Sequence, residues 1–288
     1  IGEYKCYLPF VRKQFIKDFK FLISKEELYK DSLKRLLEYY YVFYVSQLVM
    51  KLNTFEKVDL SKPDTLYYTL DWERTSKTRT AYQFGWEKIK NDLNSLFSHA
   101  VTLEMLNHHG AEEQLNYVDL AKIFNEENGV EIARQISDVI ALYKNQIDDV
   151  NWNEFKLKDR TSEVEGFNSV YELFETIRYQ FEESRTRFRA NEAYRNWFIR
   201  FVQKNFAKRR GQLGYNLNIT EDDIILMTKI CINDNEKLKL NKLFEEFELR
   251  GLFFDRDSKM KIVQLYEKLN LLEKKSDSGD AQYVKSVL

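Results

Sequence analysis

Apolar residues recur along most of this chain at intervals of three and four, with few interruptions, and that period predicts long helices. The first clear one runs from Ser24 to Asn53. It opens SKEEL, a serine cap followed by an acidic first turn. Leu28, Leu33, Leu36, Leu37, Tyr40, Val42, Phe43 and Tyr44 place apolar side chains on most of its faces, which suits a helix central to a bundle. The stretch FEKVDLSKPDTLYYTLDWERTSKTRT then reads as an irregular connector, with Pro63 as its clearest breaker. Helical patterns resume over 82–107, 117–125 and 129–150, and a polar linker covers 153–168. A further helical region runs from Val170 towards Arg210, in one or two pieces. RRGQLGYN follows, and its two glycines mark the best domain boundary in the chain.

Beyond that boundary the pattern changes. Thr220 with Asp223 three residues on forms a capping-box signature ahead of the apolar run IILM. A second short helix is expected over 239–250, closed by Gly251, and a third starting after Asp257 or Ser258 as its cap. The chain then reads LLEKKSDSGDAQYVKSVL, two short runs around the turn residues Asp277, Ser278, Gly279 and Asp280. Three short helices followed by a hairpin predict a winged helix. The expected architecture is therefore mostly α, with a helical-bundle body over residues 1–212 and a C-terminal winged-helix domain over residues 213–288.

Composition agrees with long helices, since only two prolines and nine glycines occur in 288 residues. A formal charge of −1 excludes a globally basic nucleic-acid coat but leaves room for a local basic stripe. Cys6 and Cys231 have no zinc or redox spacing, which suits a reduced, cytoplasmic setting. The most apolar stretch, from Leu36 to Met50, is shorter than the ~20 residues of a membrane span, and no membrane partner is expected. The chain begins with Ile1 and not Met, as a piece of a longer protein would.

Charge patterning supplies the candidate sites. Between Arg185 and Gly211 lie nine basic residues and one acid, Glu192. At 100° per residue Arg185, Arg189, Arg200, Lys204 and Lys208 share one broad face, with Arg209 and Arg210 beside it, while Tyr194, Phe198 and Phe201 form a second, buried face. Such a helix suits phosphate backbones or an acidic partner. In the terminal module Lys259, Lys261, Lys274 and Lys275 are the cations available to DNA. However, residues 216–288 hold twelve Lys plus Arg against fourteen Asp plus Glu. The turn itself is acidic at Asp277 and Asp280, which suits a protein-facing wing. Both readings of the wing stay open. Arg74, Lys77 and Arg79 between Trp72 and Trp86 suggest either a single-strand platform or tryptophans anchoring a loop. All three histidines, His99, His108 and His109, lie in SHAVTLEMLNHHG; Glu104 and His108, four apart, would need another ligand to hold a metal, and helix-end histidines are more often caps.

No phosphate-binding loop, dinucleotide fingerprint, nucleophile elbow or zinc-protease motif occurs in the chain. No catalytic, metal or cofactor-binding residue is nominated, and no cofactor is expected. The run LFEEFELRGLFFDRDSKMKIVQLYEKLNLLEKKSDSGDAQYVKSVL, with YYTLDWERTSKTRTAYQFGW and LFSHAVTLEMLNHH upstream, resembles the DptG family. These are phosphorothioation-dependent restriction proteins of bacterial DNA sulfur-modification systems, which serve antiviral defence. The likeness covers most of the chain, and SDSGDAQYV is its most specific piece. It implies a cytoplasmic, non-catalytic subunit of a complex that restricts DNA lacking phosphorothioate linkages. DptF-like and DptH-like subunits with ATPase and helicase-type functions would be its partners, with double-stranded DNA as a further one. The alternatives are a purely protein-bridging adaptor and a metal-dependent nuclease with an unrecognised site.

Overall fold

The computed structural model describes residues 6–73, 79–108, 114–274 and 282–287. The chain is mostly helical, with two small sheets. Its first half runs α1 (Pro9–Ile23), α2 (Glu26–Leu52), β1 (Thr69–Leu70), α3 (Arg79–Tyr82), α4 (Lys88–Asp92), α5 (Leu96–Leu106), α6 (Tyr117–Glu126) and α7 (Gly129–Gln146). The second half runs α8 (Asn168–Glu183), α9 (Phe188–Asn205), β2 (Ala207–Arg209), β3 (Tyr215–Ile219), α10 (Glu221–Ile232), β4 (Lys237–Lys239), α11 (Leu240–Glu248), α12 (Arg256–Lys268), β5 (Leu272–Lys274) and β6 (Gln282–Lys285). A π-helical turn over Gln83–Glu87 joins α3 to α4.

The chain divides into two compact units. One comprises Ile1–Tyr7, Val49–Asp59 and Asp92–Phe198, and the other Leu8–Leu48, Leu60–Asn91 and Ile199–Leu288. Residues 213–288 thus share their unit with α1, most of α2 and β1, whereas the sequence placed a boundary at 212. The glycines that suggested that boundary shape a tight turn. Gly211 and Gly214 have φ of 55° and 77°, and the Arg210 amide donates to the Gly214 carbonyl at 2.6 Å. That turn joins β2 to β3 as antiparallel neighbours, with Ala207 opposite Leu217. β1 pairs parallel to the other edge of β3, so the expected connector contains a strand.

The unit built on α5 to α8 has an aromatic core. Phe55 is buried, and its ring meets His99, Tyr117, Tyr171 and Phe174 at centroid distances of 4.7–5.1 Å. α6 starts with a capping box, in which Asn116 accepts from the Asp119 amide and Asp119 accepts from the Asn116 amide. His99 is fully buried, with Nδ1 2.9 Å from the Tyr117 hydroxyl and Nε2 3.0 Å from Asn53 Oδ1. An Asn oxygen only accepts, so Nε2 carries the proton and Nδ1 accepts from Tyr117.

Burial, reinforced by the Arg160 charge, holds the His99 pKa well below its ordinary 6.5. The unfolded chain therefore takes up a proton that the folded chain refuses. This contribution to stability is complete above about pH 6.5 and is lost as pH falls below it, at up to ~1.4 kcal/mol per pH unit. Urea unfolding at pH 7 and pH 5 is expected to show that loss in the parent chain, and His99→Gln is expected to reduce it. Identical pH dependence in the two would refute the assignment.

In the other unit, α10 begins with the expected box, Thr220 Oγ1 accepting from the Asp223 amide at 3.2 Å. α11 ends at Glu248, and Gly251, with φ of 77°, closes the turn after it. The cap of α12 is Asp255, two residues before the expected position, and its Oδ1 accepts from the Ser258 amide at 2.8 Å. Ser258 is instead buried, and its hydroxyl donates to Glu73 at 2.9 Å. A three-stranded antiparallel sheet closes the chain in the order β4, β6, β5. The turn residues between β5 and β6 lie outside the described residues.

Candidate nucleic-acid interface

α9 carries most of the basic run, but the run is not one helix. α8 stops at Glu183, and Ser184 turns the chain, its hydroxyl donating to Asp149 at 2.6 Å. Arg185 and Arg187 lie in the turn that follows. After Asn205 the helix gives way to β2, so Lys208 and Arg209 are on a strand and not on the helical stripe.

The basic residues differ in what they touch. Lys208 Nζ donates to the Asp71 carbonyl at 2.7 Å. Arg210 is half-buried, and its guanidinium donates to the carbonyls of Glu73 and Leu70 at 2.9 and 2.7 Å and to Asn218 Oδ1 at 3.3 Å. These two side chains tie the segment after β1 to the β2–β3 hairpin. Arg195 meets Asn94 Oδ1 at 2.6 Å and Glu192 at 3.4 Å. By contrast Arg185, Arg189, Arg200, Lys204 and Arg209 are exposed and make no hydrogen bond or ion pair to any described residue.

The C-terminal half of α9 is fixed in place. Arg35 on α2 donates to the Asn205 carbonyl at 3.0 Å and grips both Asp223 oxygens at 2.6 and 2.7 Å. Its guanidinium lies 3.9 Å from the centroid of the Phe206 ring. Phe201 packs edge-on against Tyr41 at 4.8 Å. Arg200 and Lys204 therefore project from a helix end whose last carbonyl and flanking ring are both held.

The aromatic residues of α9 do not share one buried face. Phe198 is buried, but Tyr194 is 54% exposed and Trp197 is 78% exposed. The expected aromatic stripe is thus reduced to Phe198, with Phe201 half-buried beside it.

In the terminal module the candidate cations are mostly paired. Lys259 meets Glu248 at 2.9 Å and lies over the Phe244 ring, and Lys274 meets Glu267 at 2.9 Å. Lys237 on β4 meets Glu273 on β5 at 2.8 Å. Lys261 is exposed and donates to Gln264 at 3.1 Å. Such exposed pairs add little stability, but each leaves a carboxylate where a phosphate would have to approach. Beside them runs a groove of about 740 Å³ lined by Phe244, Glu245, Glu248, Asp255, Lys259 and Met260. Lys275, Asp277 and Asp280 lie outside the described residues.

The remaining candidates separate as well. Trp86 is buried and its ring lies 5.6 Å from that of Tyr215, which makes it an anchor. Trp72 is half-buried; Arg74, Lys77 and the Arg79 side chain lie outside the described residues. His99 belongs to the core and does not meet Glu104, His108 is exposed, and His109 lies outside the described residues. Among the described residues, no three His, Cys, Asp or Glu side chains converge as a metal site. None of the described helices is long and apolar enough to cross a membrane.

No protein-family model matches the chain, and no curated protein matches it.

Proposed function

We propose that this chain is a non-catalytic subunit of a bacterial DNA restriction complex of the kind its DptG-like segments imply, one that acts on DNA lacking phosphorothioate linkages. α9 holds the DNA backbone, and the terminal module docks a partner subunit of the ATPase or helicase type. One contrast carries this reading. Arg189, Arg200 and Lys204 project from α9 with no partner among the described residues, while Lys259 and Lys274 of the terminal module are tied to Glu248 and Glu267. Free cations release counterions when they meet phosphates, whereas paired ones must first give up a carboxylate.

The order helix, strand, two helices, two strands, with β6 between β4 and β5, supports a winged helix for residues 213–288. The paired Lys259 and Lys274 and the groove beside Phe244 favour protein contact.

The test is binding of a fluorescein-labelled duplex across a salt series. Each phosphate contact contributes about 0.9 to the slope of log K against log salt. Arg200→Glu combined with Lys204→Glu is expected to lower that slope by roughly 1.8 and to weaken binding at low salt. An unchanged slope, or no binding by the parent chain at low salt, would refute DNA contact by α9.

A further inference from the structure

Trp197 is the most exposed large apolar side chain among the described residues, and it stands within the cationic stripe of α9. At 100° per residue Arg189, Ala193, Trp197, Arg200 and Lys204 fall within an arc of about 80°. Their exposure follows that arc, since all five are exposed while Phe198 and Val202 on the opposite side are buried. The stripe extends about 22 Å along one continuous helix. Ala193 and Ala190, one and two turns before Trp197, are too small to cover the indole. Tyr194 leans away and packs edge-on against Phe97 at 5.0 Å. The indole face is therefore open, with unpaired cations one turn or more away on either side.

A lone exposed tryptophan needs no explanation. An exposed tryptophan between unpaired cations has a specific complement, a polyanion that also presents flat π-faces. Duplex DNA supplies the charge but keeps its base faces stacked inside. An acidic polypeptide supplies charge without flat bases. A single-stranded nucleic acid supplies both, and base stacking on exposed aromatics between backbone-binding cations is how sequence-tolerant single-strand sites work. We infer that the α9 stripe is a single-strand binding surface in which Trp197 stacks on an unpaired base while Arg200 and Lys204 contact the adjoining phosphates. This deepens the reading of α9 as the DNA-holding element and rests on it.

The experiment uses the full chain and four labelled probes: a mixed-sequence single-stranded DNA, its duplex, an RNA of the same sequence, and polyglutamate. Binding to either single strand is expected to be tighter than to the duplex. Trp197→Ala is expected to weaken single-strand binding about tenfold, with little change in the salt slope or in duplex affinity. Trp197→Phe, which keeps a π-face, is expected to retain most of the affinity. The melting temperature of both variants should match the parent, since the side chain is exposed. Unchanged single-strand affinity in Trp197→Ala would overturn the stacking role while leaving backbone contact by α9 intact. An equal loss of polyglutamate binding would overturn it in favour of an acidic protein partner. Failure of every nucleic-acid probe to bind at low salt would overturn both this inference and the reading beneath it.

Discussion

Arg250→Met is expected to lower the free energy of unfolding by about 3–5 kcal/mol, the usual cost of stranding one partner of a buried ion pair. Arg250 at the end of α11 has no exposed surface, and Asp18 of α1 has almost none. The guanidinium meets both Asp18 oxygens, Nε to Oδ2 at 2.7 Å and Nη2 to Oδ1 at 2.6 Å. Its Nη1 donates to the Glu246 carboxylate and carbonyl, each at 2.8 Å. The Tyr40 hydroxyl donates to Asp18 at 2.6 Å, and the Tyr39 hydroxyl donates to the Arg250 carbonyl at 2.5 Å. Removing the cation leaves the buried Asp18 carboxyl group with the Tyr40 hydroxyl as its remaining hydrogen-bond partner among the described residues. Urea unfolding measures the effect, and a loss under 1 kcal/mol would mean that water reaches the pair. The double variant Arg250→Met with Asp18→Leu is expected to recover much of the loss, because no charge then remains buried. Because the network ties α1, α2 and α11 together, the single variant should also loosen the terminal module.

Gly251→Ala, one residue on, is expected to cost about 2–5 kcal/mol through two separable effects. At φ 77° any β-carbon is strained by about 1–2 kcal/mol. An added Cβ would also lie 2.4 Å from Cε2 of Phe43, a buried ring that must shift, at a further 1–3 kcal/mol or so. Pairing Gly251→Ala with Phe43→Leu, measured against Phe43→Leu alone, isolates the backbone cost. If the alanine costs as much there as in the parent background, crowding against Phe43 contributes nothing.

Both residues illustrate a division in what could be read. Gly251 was legible as a helix-closing glycine, because a C′ glycine follows from the helix beside it. Phe43 as its neighbour was not, since 208 positions separate them. Locally Arg250 is an ordinary basic residue near a helix end, and nothing within a few positions of it marks Asp18 as its partner.

The same holds for α9. The basic composition of the run was plain in the sequence, but treating it as one helix to Arg210 hid where each charge goes. Lys208 and Arg210 are occupied by carbonyls about 137 residues earlier, and the strand that carries Lys208 exists only because β3 pairs with it. Trp197 belongs neither to the basic set nor to the aromatic set of Tyr194, Phe198 and Phe201, so composition alone does not mark it. At 100° per residue Trp197 falls between Lys204 and Lys208, inside the basic face and away from the buried Phe198, and that position places it among the exposed residues.

What the sequence determined by itself is the helical character of the chain, the extent of α2 and α6, the start of α7, the capping box of α10, the glycine stop after α11 and the presence of strands near the end. Each depends on contacts within a few residues: the 3.6-residue period, a side chain reaching an amide three positions on, or a backbone angle only glycine tolerates without strain. Tertiary structure alone decided the two-unit division, the short strands β1, β2 and β4, the buried Asp18–Arg250 pair and the sorting of cations into paired and free. Strands of two or three residues have too little pattern to announce themselves. A charge is neutralised or left free by whichever distant residue the fold sets beside it.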